Sequence, residues 1–291
     1  MRLAGGRAGR WLWELVRAVF RRVFAHGVTS QASLFAYNAF LATIPFLFVL
    51  VAITGLVASP ATYTRVIAGY GDAIPDDLRR LLLSSLRQAT HGSNTLFFLV
   101  LGIVGGLYLA SNAIGALMNG LDQAYGAAHR PWLRGKLVAL GFAAAASILA
   151  AAGALALLAG PRVLEALLRL MGVSESAGRI AGQSISWFTL AALLLFAILL
   201  YRFGPNVRCP LSAVLPGALV AAAGWIGAIW LFRLYVDNFG SYDKIYGSLG
   251  AVVVYLTFLY LSGLMLFIGG EINGELAERR GGTLCHPPAI A

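Results

Sequence analysis

Amide, carboxylate and phenol side chains set in or beside long apolar runs are the groups through which this chain could do chemistry. Asn112 and Asn119 stand seven apart in one such run, with Gly115 and Ala116 between them and Asp122 and Gln123 one turn further on. At helical spacing they form one polar, small-residue stripe, which either hydrogen-bonds a neighbouring helix or walls a polar cavity. Tyr37 and Asn38 occupy an earlier run ahead of Pro45, whose missing N–H frees the carbonyl of Leu41 and predicts a kink. Tyr242 and Tyr246 belong to the tract "NFGSYDKIYGSLG", where Gly240, Gly247 and Gly250 permit tight turns at the entry to the last apolar run. Glu271, with Asn273 and Glu275 behind it, closes that run at its far end; Arg202, Pro205 and Asn206 form the loop "YRFGPN". Such groups suit hydrogen bonding to a solute in passage.

Bond-making chemistry has no comparable signature. His26, His91, His129 and His286 are scattered without an i, i+4 pair or an HExxH pattern, and neither a GxxxxGK[ST] phosphate loop nor a GxSxG elbow occurs. No catalytic residues, metal or cofactor are expected, and the chain does not read as an enzyme.

The elements that must carry these residues follow from composition. Hydrophobic residues make up 59% of the chain and charged residues 12%, and mean hydropathy is +0.78, whereas soluble domains carry about 25% charged residues. Stretches free of Asp, Glu, Lys and Arg run over 23–64, 88–121, 137–161, 180–201, 209–232 and 245–270, and each can hold the roughly 20 residues of a spanning helix. Hydrocarbon offers no partner to backbone N–H and C=O groups, so these runs must be helices. The expected fold is all-α and polytopic, with six transmembrane helices near Ala32 to Val57, Thr95 to Asn119, Leu137 to Gly160, Ile185 to Tyr201, Leu211 to Phe232 and Ser248 to Gly270.

Six spans leave both termini on one side. The connections on that side carry thirteen Lys and Arg against nine on the other, and net charges of +8 and +2, so the termini are read as cytoplasmic. Residues 1–29 form a basic arm in which Leu12, Leu15, Val19 and Val23 share one helical face and Arg10, Glu14, Arg17 and Arg21 another, with Trp11 and Trp13 as interfacial anchors. No cleavable signal peptide is apparent, because the arginines come after no apolar core. The basic balance points to anionic lipid at the cytoplasmic face as partner, not to nucleic acid. Residues 76–88 and 162–172 read as amphipathic helices in outer-face loops, through Leu78, Leu81, Leu82 and Leu86 and through Leu164, Leu167, Leu168 and Met171. Residues 30–276 make the six-helix domain and 277–291 a cytoplasmic tail expected to be disordered. Cys209 and Cys285 fall on the cytoplasmic side and are expected as free thiols. In the fifth span, Pro216 predicts a second kink, and Ala221, Gly224 and Ala228 form a small-residue stripe suited to close packing, within one chain or in a homo-oligomer.

The pieces "YNAFLATIPFLF", "SNAIGALMNGLDQAYG" with "RPWLRGKL", "YRFGPN", "PGAL", "DNFGSYDKIYGSLGAV" and "GGEING" resemble the YihY/virulence factor BrkB family of bacterial inner-membrane proteins, from about Ser30 to Leu276. The resemblance implies six spans with cytoplasmic termini and location in the bacterial inner membrane. Members have been labelled ribonuclease BN, but this chain has no HxHxDH-type metal cluster. The preferred function is transport or export of a small or amphiphilic solute, of unspecified identity, through a polar cavity formed by Tyr37, Asn38, Asn112, Asn119, Asp122, Tyr242, Tyr246 and Glu271. The alternative is a non-transporting envelope scaffold or a lipid-interacting protein of flippase or scramblase type.

Overall fold

The computed structural model describes residues 3–57, 95–149, 177–238, 248–281 and 285. Among these there are seven α-helices and no strand: α1 (Leu3–Ala25), α2 (Val28–Val57), α3 (Thr95–Ala124), α4 (Trp132–Leu149), α5 (Ala177–Phe203), α6 (Leu211–Asn238) and α7 (Ser248–Arg279). Three described segments, Trp132–Leu149, Leu211–Leu234 and Val252–Arg279, are long and apolar enough to cross a membrane. The expected loop helices at 76–88 and 162–172, together with Tyr242, Tyr246 and residues 282–284 and 286–291 of the tail, lie outside the described residues.

Helices α2 to α7 sit where the charge-free runs predict, but several overrun them. α4 starts at Trp132 instead of Leu137, α5 at Ala177 instead of Ile185, and α7 continues past Gly270 to Arg279. A hydropathy run marks the stretch that tolerates hydrocarbon, whereas a helix continues as long as its polar side chains find partners. In α7 the extension carries Glu271, Glu275 and Glu278 on one face, and α1 supplies the cation they need.

α7 is the hub, packing against α6, α2, α3 and α1; α2 also lies along α3, and α5 along α6. Close approach rests on glycine. A Cβ on Gly217 of α6 would stand 2.0 Å from the Gly269 carbonyl oxygen, and one on Gly269 would stand 2.4 Å from the Tyr201 hydroxyl. The stripe of Ala221, Gly224 and Ala228 therefore works as packing, with Gly224 set against Met265. Where α2 carries Pro45, Gly106 of α3 closes on the proline ring. Inter-helix hydrogen bonds join Thr43 to Tyr255 and Trp225 to Ser262, the polar glue that apolar helices use when lipid removes the hydrophobic drive. Leu117, Leu121, Leu200, Tyr201, Val214 and Phe267 fill the centre.

α1 turns into α2 over only His26 and Gly27, and Gly27 takes the left-handed conformation (φ 60°) that this reversal requires. Its wheel divides into three sectors. Ala18, Val19 and Arg22 face the bundle; Trp13, Val16, Phe20 and Phe24 are exposed; Arg10, Glu14, Arg17 and Arg21 form the charged edge. The apolar surface is thus wider than the Leu12, Leu15, Val19, Val23 stripe, because docking uses one side of it and leaves a second side of aromatic rings outside.

The cysteines correct an expectation. Cys209 and Cys285 form a disulfide, with Cα atoms 4.4 Å apart across 76 residues of sequence. Sequence spacing could not reveal this, because it depends on the chain after α7 folding back over the α5–α6 connection.

Gly269→Val should force α6 and α7 apart and destabilise the protein by about 1–3 kcal/mol, as overpacking does. Gly227, where an added Cβ meets nothing within 4 Å, should accept Ala without loss. Thermal melts of both variants in detergent, read by thiol-independent scattering, check the contrast; equal melting would show that the crossing is not close.

Candidate functional site

The chain's polar groups gather at two places. The first is the end of the bundle where α3, α5 and α7 finish and α2 and α6 begin. Glu271 is 1% exposed there. Its Oε2 accepts from Arg22 Nε at 3.0 Å and its Oε1 lies 2.6 Å from His26 Nδ1; since a carboxylate only accepts, Nδ1 carries the hydrogen. The same guanidinium donates to Glu278 at 2.7 Å and to the Ala124 carbonyl at the end of α3 at 2.5 Å. Gly274 makes room for this junction, because a Cβ there would reach that carbonyl oxygen at 2.1 Å. Glu271 is therefore a buried ion-pair partner.

Asn273, fully buried, serves a different helix. Its Oδ1 accepts from Gly217 N at 2.7 Å and its Nδ2 donates to Val214 O at 3.0 Å, bracketing the turn that Pro216 interrupts in α6. A neighbouring helix thus meets the backbone groups beside the proline. Tyr201, buried as well, donates to Leu266 O at 2.7 Å.

Asp122, 3% exposed, organises the "YRFGPN" loop. Its Oδ1 accepts from Asn206 N at 2.6 Å and its Oδ2 lies 3.2 Å from His129 Nδ1. α3 ends on Gly126 (φ 63°), with Ala127 N bonding Asp122 O at 2.7 Å, a Schellman closure that fixes the carboxylate's position. Arg130 caps α5 by donating to the carbonyls of Phe203, Gly204 and Pro205. Burial lowers the Arg130 guanidinium's pKa, and the charge of Asp122 opposes that. Asn206 Nδ2 donates to Ala128 O at 3.0 Å, Pro205 is buried, and Arg202 lies over the Phe203 ring. Beside this cluster, the buried Tyr125 hydroxyl and Gln31 Oε1 have no hydrogen-bond partner. Burial raises the Tyr125 phenol's pKa, and the nearby Asn273 amide offsets part of the rise.

The second place is the face between α3 and α4. Lys136 Nζ donates to Asn112 Oδ1 at 2.6 Å and sits 4.1 Å from the centre of the Tyr108 ring. Lys136 escaped the sequence reading because it was counted with the loop; the start of α4 at Trp132 puts it inside the helix. The signal available was the i, i+4 pair of Tyr108 and Asn112 on α3.

Of the remaining candidates, Asn119 is exposed, Asn38 donates to Leu34 O of its own helix at 2.8 Å, and Tyr37 is 59% exposed. The structure brings together Asp122 with Asn206, and Asn112 with Lys136; it does not join the asparagines of α2 and α3 into one stripe. Among the described residues no group of three or more His, Cys, Asp or Glu could hold a metal ion.

Among the described residues, seven helices, apolar segments of membrane-crossing length and buried polar junctions define an all-helical membrane protein. The chain belongs to the virulence factor BrkB family, whose family model matches residues 19–289. This match takes in Arg22, His26 and Cys285, beyond the Ser30 to Leu276 range over which the motifs were recognised. The chain is 30% identical over 271 residues to the putative ribonuclease-like protein YfkH of Bacillus subtilis, covering 92% of this chain and 96% of that one. It is 26% identical over 288 residues to a UPF0761 membrane protein of Chromohalobacter salexigens (93% of this chain, 66% of that one). A UPF0761 membrane protein of Vibrio vulnificus is 24% identical over 273 residues (91% and 82%). No solved structure matches the chain.

Arg22→Ala should destabilise the protein by about 3 kcal/mol, the lower end of the range for stranding a buried charge, because Arg22 itself keeps 19% exposure. Arg22→Met combined with Glu271→Leu should recover much of that loss. Melting temperatures of the single and double variants test the coupling, and simple additivity would contradict it.

Proposed function

We propose that this chain is a bacterial inner-membrane transporter that moves a small or amphiphilic solute along polar groups of a six-span bundle, α2 to α7. The observation that carries the reading is Lys136, a cation inside the apolar segment Trp132–Leu149. Lys136 stands one turn inside the start of α4, and ionisable residues within spanning helices are rare and mark substrate or ion pathways. Packing of α4 does not need it, since Ala139 and Ala143 already bury that side of the helix.

Both termini are cytoplasmic on this reading. The charge difference of +8 against +2 between the two sides supports it, and Arg22 and Arg130 belong to one end of the bundle through their contacts with Ala124 and Gly204. α1 lies along the inner leaflet, its exposed rings in the interface and its arginines toward anionic lipid. The disulfide pulls the other way, because such bonds persist mainly in oxidising compartments. The ribonuclease-like name of the Bacillus relative is not carried over, for want of the metal-ligand pattern a nuclease of that type needs.

A second reading, an anchored scaffold, draws on the polar end of the bundle, where Glu271, Asp122 and Asn273 are fully engaged by the protein itself.

In intact cells, an impermeant maleimide applied with an impermeant reductant should leave Cys209 and Cys285 unlabelled, and permeabilisation should expose both; labelling of intact cells would reverse the orientation. In liposomes the purified protein should speed transbilayer movement of a fluorescent amphiphile, and Lys136→Ala should slow it at least tenfold. Movement no faster than in empty liposomes, across small solutes and amphiphiles alike, would leave the scaffold reading.

A further inference from the structure

Lys136 has three N–H donors and uses one of them on Asn112 Oδ1. The face of the Tyr108 ring holds the cation by its quadrupole. Neither partner carries a negative charge, and among the described residues no carboxylate lies within ion-pair distance of Lys136. Among the described residues the well-buried carboxylates Glu271 and Asp122 each meet a basic side chain, so this uncompensated cation is a local exception.

The surface around it is apolar and outward-facing. Trp132, Leu133 and Leu137 of α4 and Tyr108 of α3 are all more than half exposed. Trp132 and Tyr108 are the ring types that settle at headgroup depth. A half-buried ammonium with spare donors, set at the edge of an apolar face, complements an anion attached to an apolar body. A dissolved anion would gain nothing from that face.

From this we infer that Lys136, with Asn112 and Tyr108, is a binding site for the phosphate of an anionic phospholipid whose acyl chains lie along Leu133 and Leu137 of α4. The phosphate oxygens accept the two unused ammonium hydrogens, while Asn112 holds the amine in place. The site deepens the transport reading by naming its substrate class, and rests on that reading only for the role of the lipid as cargo; binding itself is separate.

Full-length protein in neutral maltoside micelles can be titrated with dioctanoyl phosphatidylglycerol, dioctanoyl phosphatidylcholine and inorganic phosphate, with bound ligand counted by native mass spectrometry. Phosphatidylglycerol should bind at least tenfold more tightly than phosphatidylcholine. Lys136→Gln should lose that preference, Lys136→Arg should keep it within about threefold, and Arg208→Gln, which removes the same charge elsewhere, should not change it. Asn112→Asp sets a carboxylate against the ammonium and should abolish the preference as well, which covers a Lys136→Gln protein that fails to fold. Undiminished phosphatidylglycerol binding by Asn112→Asp or Lys136→Gln would overturn the site, as would inorganic phosphate competing on equal terms. Lys136-dependent binding by a protein that moves nothing across liposomes would support the site and remove only the transport reading.

Discussion

A carboxylate held almost wholly out of solvent has to be neutralised where it stands, and the fold of this protein is arranged around that requirement at Glu271. Removing one partner from a buried pair strands the other, at about 3–5 kcal/mol, so the donors that meet Glu271 are fixed in place by it. They come from α1 and from the turn into α2: Arg22 and His26. α1 must therefore fold back beneath the bundle instead of trailing away. Because the same guanidinium also reaches the carbonyl of Ala124, the end of α3 is drawn into the junction. That guanidinium thus ties three helices, α1, α3 and α7, and His26 adds the turn into α2. Gly274 is the steric condition for it, since any side chain there would occupy the space between α7 and α3.

The "GGEING" segment gathers these demands into six residues. Gly269 admits α6 and the Tyr201 hydroxyl, Gly270 admits Leu121, and Gly274 admits the end of α3. Between them Glu271 binds α1 and Asn273 repairs the backbone beside Pro216. Small residues let backbones approach, and approach in turn lets two short polar side chains reach main-chain groups of other helices. In a medium where apolar surfaces gain little by meeting, contact and hydrogen bonding of this kind carry the association.

How much of this was legible in the sequence depended on the range of the interaction. Apolar runs give helices through local backbone chemistry, and all six fall where the charge-free stretches lie, with Pro45 and Pro216 inside helices as expected. Packing by the Ala221, Gly224 and Ala228 stripe was legible because small-residue spacing is itself a local property. The burial of Glu271 was not, since its partner Arg22 is 249 residues away. Nor was the pairing of Cys209 with Cys285, nor the division of labour between Asp122, which grips the Asn206 loop, and Asn112, which grips Lys136. Lys136 shows a further limit: charge counting assigns each lysine to a connection, and only the starting point of α4 reveals that this one lies within a helix.

The two polar regions differ in how firmly their cations are anchored. At the end of the bundle Arg22 divides its donors among Glu271, Glu278 and Ala124, and Arg130 divides its own among three carbonyls of the loop after α5. A guanidinium anchored at three points cannot turn toward a solute without first breaking a buried contact, which makes that end a fixed joint. Lys136 is held by one amide oxygen and one ring face, and retains donors at the edge of an exposed apolar surface. Binding there requires no rupture of the junction that holds the helices together. On the proposed reading, the face between α3 and α4 handles the solute and the Glu271 junction is the fixed base against which that face works.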